Sequence, residues 1–267
     1  MKKALILTLC VSCASFLLTA CAQQPSVDNV VHQTVAAMGG IAQLQAIQDQ
    51  VSTWDFTMHV MPPGPAEAGG EMAGQGQEGG MTMPMKITYK RENKLRMDFM
   101  EPDGAISMSS CYDGENGWHL QMGQRIDMNQ AQLQETEVMT TTWLDGFLDY
   151  KDKGFVLELL PDETMDGQNY FVLHSTDKYA NVQKFYVNAS THLIERQVGD
   201  MTNFAGEMEA MYMTFKDYET IDGYAMARHV AQFKQDGQML WEATLKDVAF
   251  NTGVEDEVFM AEAMTMK

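Results

Sequence analysis

The turn residues of this chain constrain its fold most strongly. Asp-Gly or Asn-Gly pairs recur at hairpin spacing along this chain, among them Asp113-Gly114, Asn116-Gly117, Asp166-Gly167, Asp222-Gly223 and Asp236-Gly237. Such pairs readily adopt the positive φ angles that two-residue hairpin turns need. In the same region, Lys94–Phe99 alternates polar and apolar residues, as a strand with one buried and one wet face does. The pattern from Met81 to Phe250 therefore predicts an antiparallel meander.

Helical spacing of apolar residues is confined to three places. Val27 to Met38 predicts a helix that Gly39-Gly40 stops, and a shorter helix is predicted from Ile41 to Ile47. One or two further helices are predicted between Asn129 and Tyr150, where they would cover one face of the sheet. The fold class is therefore mainly β with a few helices (α+β).

The first strand is predicted from Val51 to Met61, and an unusual segment follows it. Residues 62–80 contain seven Gly and three Pro with almost no apolar content. Such a segment cannot bury enough surface to offset its ordering entropy, so we expect a disordered insertion between two strands. Apart from this insertion, residues 27–267 are expected to form a single domain.

The N-terminus has the pattern of an exported lipoprotein. Met1-Lys2-Lys3 precedes an apolar run that ends in Leu18-Thr19-Ala20-Cys21, which resembles a bacterial lipobox. We predict that residues 1–20 are a signal peptide, that Cys21 is lipidated and carries palmitate-type acyl chains, and that residues 21–26 are a tether. An ordinary signal peptide cut before a cysteine remains the alternative. Ala22, rather than Asp, predicts sorting to the outer membrane, facing the periplasm, by the rule for enterobacterial lipoproteins.

Cysteine content and charge narrow the possible partners. Cys10 and Cys13 lie in the signal and Cys21 takes the lipid, so Cys111 alone remains and no internal disulfide is expected. The chain has 18 Lys and Arg against 37 Asp and Glu, a formal net charge of −19. A field of this sign repels phosphate backbones, which excludes nucleic acid as a partner. Membrane attachment is therefore expected through the acyl chains.

Four motifs, in this order along the chain, resemble one known family. They are Ala37-Met38-Gly39-Gly40 followed by Leu44-Gln45-Ala46-Ile47, then Tyr112–Trp118, Phe185–Arg196 and Tyr218–Tyr224. Together they resemble the periplasmic lipoprotein-carrier superfamily of LolA-like, LolB-like and RseB-like proteins, over the whole mature chain. The resemblance implies a strongly curved antiparallel sheet, an incomplete barrel of about eleven strands lidded by helices. It also implies an apolar cavity for acyl chains.

Methionine is the second unusual feature, with 24 residues in the chain. Unbranched thioethers repack around flexible ligands, and several of these methionines follow the strand period of two. We therefore predict an apolar ligand cavity lined by Met83, Met85, Met97, Phe99, Trp143, Phe147, Met211 and Met213. The alternatives are that Met merely fills the core, or that Met58, His59 and Met61 hold Cu(I) through soft ligands.

The sequence contains little that indicates catalysis. The chain has no GxSxG, HExxH, Walker A or GxGxxG motif, and its six histidines are dispersed without ligand spacing. We predict a monomeric, non-enzymatic binding protein without cofactor or metal. Its ligand would be an acyl chain or the lipid moiety of a lipoprotein, in lipoprotein or lipid sorting to the outer membrane. The alternative is a Met-rich periplasmic lipoprotein that binds copper or senses envelope stress.

Overall fold

A computed structural model of the protein describes residues 25–60, 80–121, 123–202 and 208–260. The predicted signal peptide, Cys21 and all but Gly80 of the predicted insertion lie outside these residues. The helices are α1 (Val27–Ala37), α2 (Ile41–Ala46), α3 (Gln130–Thr142) and a short 3₁₀ helix (Asp256–Phe259). The strands are β1 (Asp49–Met58), β2 (Met81–Lys90), β3 (Lys94–Met100), β4 (Ile106–Tyr112), β5 (Gly117–Gln121), β6 (Gln124–Asp127), β7 (Val156–Met165), β8 (Gln168–Thr176), β9 (Val182–Asn188), β10 (Ile194–Thr202), β11 (Met208–Ile221), β12 (Tyr224–Lys234) and β13 (Met239–Phe250).

All thirteen strands form one antiparallel sheet in the order β6-β5-β4-β3-β2-β1-β13-β12-β11-β10-β9-β8-β7. The sheet consists of two meanders, β1 to β6 and β7 to β13, which meet where β1 pairs with β13. It is not closed into a barrel, since β6 and β7 are its two edges. The predicted fold class, an incomplete barrel with a curved antiparallel sheet, is confirmed. The sheet has thirteen strands, whereas the resemblance implied about eleven.

The route of the chain between the two edges explains where the third helix lies. Strands β6 and β7 are consecutive in the chain but sit at opposite edges of the sheet. The segment between them must therefore cross one face of the sheet, and α3 lies on this crossing. We call the face that packs against α1, α2 and the segment of α3 the inner face and the opposite one the outer face.

The predicted turn pairs lie in four of the hairpin turns that the structure describes: β4–β5, β7–β8, β11–β12 and β12–β13. Asp166-Gly167 and Asp222-Gly223 have positive φ at both positions, 49° and 79° in the first pair and 49° and 82° in the second. These values match the two-residue turns that suit the twist of hairpin strands. A turn that the sequence analysis missed joins β2 to β3, where Glu92 and Asn93 have φ of 68° and 64°.

The end of α1 docks closely on the β11–β12 turn. Gly39 has a φ of 128°, and a Cβ atom at this position would lie 2.3 Å from the carbonyl oxygen of Gly223. Nearby, Ala225 N donates to Met38 O over 3.0 Å, and Gln43 Nε2 donates to Asp222 O over 2.7 Å. The predicted helix stop at Gly39-Gly40 is therefore also a packing contact.

Replacing Gly39 with alanine is expected to destabilise the protein by roughly 2 kcal/mol or more, because the change combines positive-φ strain with a backbone clash. Gly253→Ala is the matched control, since Gly253 has a φ of 77° but no heavy atom lies within 4 Å of the point that a Cβ atom would occupy there. Chemical unfolding of both variants measures the difference. Equal losses in the two variants would contradict the close approach.

One helix, not two, occupies the region between Asn129 and Tyr150. Asn129 caps α3 in a reciprocal capping box with Gln132. After Thr142 the chain forms successive turns, in which Gly146 and Asp149 have φ of 53° and 54°. These left-handed residues prevent a second helix, because a right-handed helix needs negative φ throughout.

Candidate ligand site on the inner face of the sheet

The predicted cavity residues of β2 and β3 lie together on the inner face. Directly opposed residues of an antiparallel pair share a face. Met85 is opposite both Trp54 and Phe99, and Met83 is opposite Phe56. Met97 joins the same row through its pairing with Ile87. The register thus assembles Met83, Met85, Met97 and Phe99 into one apolar surface.

Trp143 and Phe147 face this surface from the segment that follows α3. The Trp143 ring stacks on Tyr89 with a centroid separation of 6.0 Å. Phe147 packs edge-on against Phe185 at 4.8 Å and Phe155 at 5.8 Å. Both belong to the same core cluster as the β2 and β3 residues. Six of the eight predicted lining residues therefore meet. Four come from the sheet, and two come from the helical cover, which consists of α1, α2, α3 and the turn segment after α3.

Met211 and Met213 lie on the inner face of β11 but belong to a neighbouring cluster. Their partners there include Met201, Leu240 and Trp241. Trp241 also packs against the main cluster, with its ring 5.5 Å from that of Phe56. The eight predicted residues thus form two apolar groups that Trp241 connects.

Sequence reasoning missed several aromatic members of this surface. Trp54, Phe56, Tyr89 and Trp241 all line the inner face. The alternation of Trp54, Phe56 and Met58 in β1 could have indicated the first two. Trp241 could not be found in this way, because its proximity to Phe56 depends on the pairing of β1 with β13.

The inner face is packed by its own side chains. Met85 is 6% exposed, Phe147 3% and Met211 0%. Two shallow clefts in the described part of the chain are lined by none of the eight predicted residues. The other five, Met83, Met97, Phe99, Trp143 and Met213, are half-buried. Part of the cover would need to move before an acyl chain could reach Met85, Phe147 and Met211 as well.

The cover has one weakly buried part and one strongly buried part. Thr140 is the only buried residue among those of α3. The turns that follow contribute Leu144, Phe147 and Tyr150 to the core, with exposures of 1%, 3% and 8%. Because apolar burial is the dominant stabilising term, α3 is held less firmly than the turns after it.

Polar contacts hold α3 to the rim of the sheet. The Glu137 carboxylate accepts hydrogen bonds from Lys178 and Tyr179 in the β8–β9 hairpin, and the Lys178 and Tyr179 contacts lower the pKa of Glu137. Glu135 accepts a hydrogen bond from the Thr202 hydroxyl at the end of β10. Contacts between such exposed groups are individually weak, so they can open without unfolding the sheet.

The end of α3 and the start of the turn segment are fixed by tyrosine hydroxyls. Tyr89 donates to Thr140 O and Tyr224 to Leu144 O, each over 3.2 Å. Burial raises the pKa of Tyr89 to about 12, and it also raises the pKa of Tyr224. Both hydroxyls therefore stay protonated and keep their donor role near neutral pH.

Arg91 ties α2 to the turn segment. Its Nη1 and Nη2 atoms donate to the two Asp145 carboxylate oxygens over 2.9 and 2.8 Å. Its Nε donates to Ile47 O over 2.7 Å, and Nη2 also donates to Leu44 O. The hydrogen bonds to Asp145 raise the pKa of Arg91. One guanidinium therefore joins the end of α2 to the turn segment.

Two of the residues of the copper alternative, Met58 and His59, have different surroundings. Met58 is buried on the inner face, whereas His59 Nε2 contacts Glu242 Oε1 over 3.0 Å. His229 Nε2 contacts the other oxygen of Glu242 over 2.8 Å, and these contacts, that of His229 first, lower the pKa of Glu242. Met61 lies outside the described residues. Within the described ranges, no group of three His, Cys, Asp or Glu side chains could hold a metal ion.

Cys111 is a buried thiol on the outer face. It packs with Trp118 and Leu120 beneath Phe259 of the 3₁₀ helix. Burial raises the pKa of the Cys111 thiol to about 12, so little reactive thiolate forms. None of the helices in the described residues is both long and apolar enough to cross a membrane.

Comparison with known proteins reveals a shared architecture. No protein-family model matches the chain, and no curated protein matches it in sequence. A solved LolA superfamily protein from Nitrosomonas europaea aligns with 90% of this chain and 100% of its own length, at a TM-score of 0.57 and 12% identity. The chain has the LolA-like fold.

Two further structures agree with this assignment. A DUF1329 family protein from Desulfovibrio piger covers 90% of this LolA-like chain and 99% of its own length, at a TM-score of 0.59 and 15% identity. A domain from Vibrio parahaemolyticus is named for outer membrane lipoprotein sorting. It covers 88% of this chain and 96% of its own length, at a TM-score of 0.56 and 14% identity. At these identities the comparison concerns the fold.

Proposed function

We propose that this protein is a non-enzymatic carrier that binds an acyl chain between the inner face of the sheet and α3. One observation carries the proposal. The inner face is an almost wholly apolar surface, whereas α3 above it is held by polar contacts to the rim of the sheet. Movement of α3 would expose methionine and aromatic side chains that can repack around a flexible chain. Burying each methylene of a ligand there contributes about 0.8 kcal/mol.

The lipid moiety of a lipoprotein is the ligand that we favour. A protein of the same fold carries lipoprotein sorting in its name, and the lipobox-like N-terminus predicts an envelope location. We further propose that residues 1–20 are removed and that acyl chains on Cys21 hold the protein in the outer membrane, facing the periplasm as a monomer. The domain boundaries predicted above, including the disordered insertion, form part of this proposal.

Mass spectrometry of the protein extracted from its own membrane tests the ligand and the anchor together. Under native conditions we expect an added mass equal to a lipid, which is lost under denaturing conditions. Under denaturing conditions we expect the mass of a chain that begins at an acylated Cys21. The Cys21→Ala variant should lack this covalent acyl mass but keep the inner-face site. Copper instead of lipid, or no bound mass at all, would contradict the carrier proposal, whereas an unmodified Cys21 would contradict only the anchor.

A further inference from the structure

One of the two clefts mentioned above lies beside α1, away from the proposed lipid site. It has a volume of about 300 Å³ and lies between α1, the first residue of α2 and the turns at residues 148–152. Val31, Val35 and Leu148 supply its apolar side chains. Ile41 stands beside them and is 45% exposed, although a large aliphatic side chain is normally covered. Val31 and Val35 are only 7% and 3% exposed, so Ile41 and half-buried Leu148 present most of the apolar surface to an incoming group.

Carboxylates border this apolar surface. Asp28, Asp149 and Asp152 line the cleft, and Lys151 is the one lysine or arginine among its lining residues. Lys151 pairs with Asp28, which also accepts a hydrogen bond from Tyr150 over 2.8 Å. The contacts from Tyr150 and Lys151 lower the pKa of Asp28, so it is ionised at neutral pH. Asp149 and Asp152 are exposed, and their carboxylates have no ion-pair partner in the described part of the chain.

The shape of the cleft sets the size of its occupant. The α1 wall is a stripe of Asp28, Val31, His32 and Val35 on one helix face. With a rise of 1.5 Å per residue this stripe is about 10 Å long. An extended peptide of about three residues has the same length.

We propose that this cleft binds a short segment of a partner protein in which basic residues flank an aliphatic side chain. The aliphatic side chain would contact Ile41, Val35 and Leu148, and the cations would lie beside Asp149 and Asp152. Charge complementarity argues for this class of partner, because the rim and the whole chain are acidic. The proposal does not depend on lipid binding at the inner face.

Fluorescence anisotropy with short labelled peptides tests this proposal on the full chain in a non-ionic detergent. We expect Lys-Leu-Lys-Leu-Lys to bind and Glu-Leu-Glu-Leu-Glu not to bind. Lys-Ser-Lys-Ser-Lys should bind more weakly, because it lacks the aliphatic contact. The Ile41→Ser variant should lower affinity for the leucine peptide, and the exposed position of Ile41 means that the variant should still fold.

Charge variants show whether peptide binding depends on the carboxylates of the cleft or only on the negative net charge of the chain. The Asp149→Asn, Asp152→Asn double variant should weaken binding of the basic peptide by about fivefold, because it removes two exposed ion pairs with the cations of the peptide. The Asp166→Asn, Asp236→Asn double variant is the control: it changes net charge equally, and Asp166, like Asp149, has positive φ. Asparagine tolerates this conformation. Equal weakening by both pairs, binding of the acidic peptide, or no binding of the leucine peptide would overturn the proposal.

Discussion

Replacing Met211 with lysine is expected to lower the free energy of unfolding by about 3–5 kcal/mol, because the new charge is buried in an apolar cluster without a partner. Met211 is fully buried among Met201, Leu240 and Met213. Met208→Lys is the matched control on the same strand, since Met208 is 60% exposed. There we expect a change within about 0.5 kcal/mol. Urea unfolding measures both, and a loss below about 1 kcal/mol for Met211→Lys would contradict the described packing.

The same position tests the ligand site. Met211→Leu conserves volume and apolarity, so binding of a fluorescent fatty acid should be nearly unchanged. Met211→Lys should lose this binding at a temperature where circular dichroism still shows the native sheet. Unchanged fatty-acid affinity in folded Met211→Lys protein would exclude the Met211 cluster from the site. The Met83→Leu, Met85→Leu double variant should likewise keep fatty-acid affinity, whereas loss of Cu(I) binding in that variant would indicate that these inner-face methionines bind copper.

Arg91→Ala is expected to have the second largest effect, a loss of about 3 kcal/mol or more, because it removes one partner of a largely buried ion pair. The change also leaves the carbonyls of Leu44 and Ile47 without the guanidinium donor. Lys153 Nζ lies 3.8 Å from Asp145 Oδ2 and replaces only part of the lost charge. Arg91→Lys should recover little, since a lysine cannot reproduce the paired geometry.

Arg125→Ala is the matched control for Arg91. Arg125 pairs with Asp127 on edge strand β6, but the two side chains are 47% and 73% exposed. An exposed pair of this kind contributes up to about 1 kcal/mol. Equal unfolding free energies for the two alanine variants would contradict the role of Arg91 as the link between α2 and the turn segment.

Local patterns in the sequence predicted the local structure well. The helix stop at Gly39-Gly40 and the Asp166-Gly167 turn depend on positive φ angles, which the residue types at these positions favour without help from distant segments. The common face of Met83 and Met85 follows from the strand period alone. The single helix between residues 129 and 150 was less predictable, because the left-handed conformation of Asp149 has no unambiguous sequence signal.

Contacts between distant segments could not be predicted in this way. The separation of Met211 and Met213 from the main cluster depends on where β11 falls in a sheet of thirteen strands. The filling of the inner face depends on the packing of the cover, and the link from Arg91 to Asp145 joins residues far apart in sequence. Such features follow from tertiary register, which a propensity or a period does not encode.

The pairing of β1 with β13 also governs the order in which the sheet can assemble. Each meander forms from neighbouring hairpins with short loop closures, but Gln50 lies opposite Phe250 in the pair that joins them. Contacts of such high sequence separation make folding slow, because the entropy of a large loop is lost before they form. Neither meander can complete the shared inner face alone. While the chain emerges from the ribosome, the earliest strand must therefore remain unpaired on one side until the last has emerged, a period in which its free edge needs protection from aggregation.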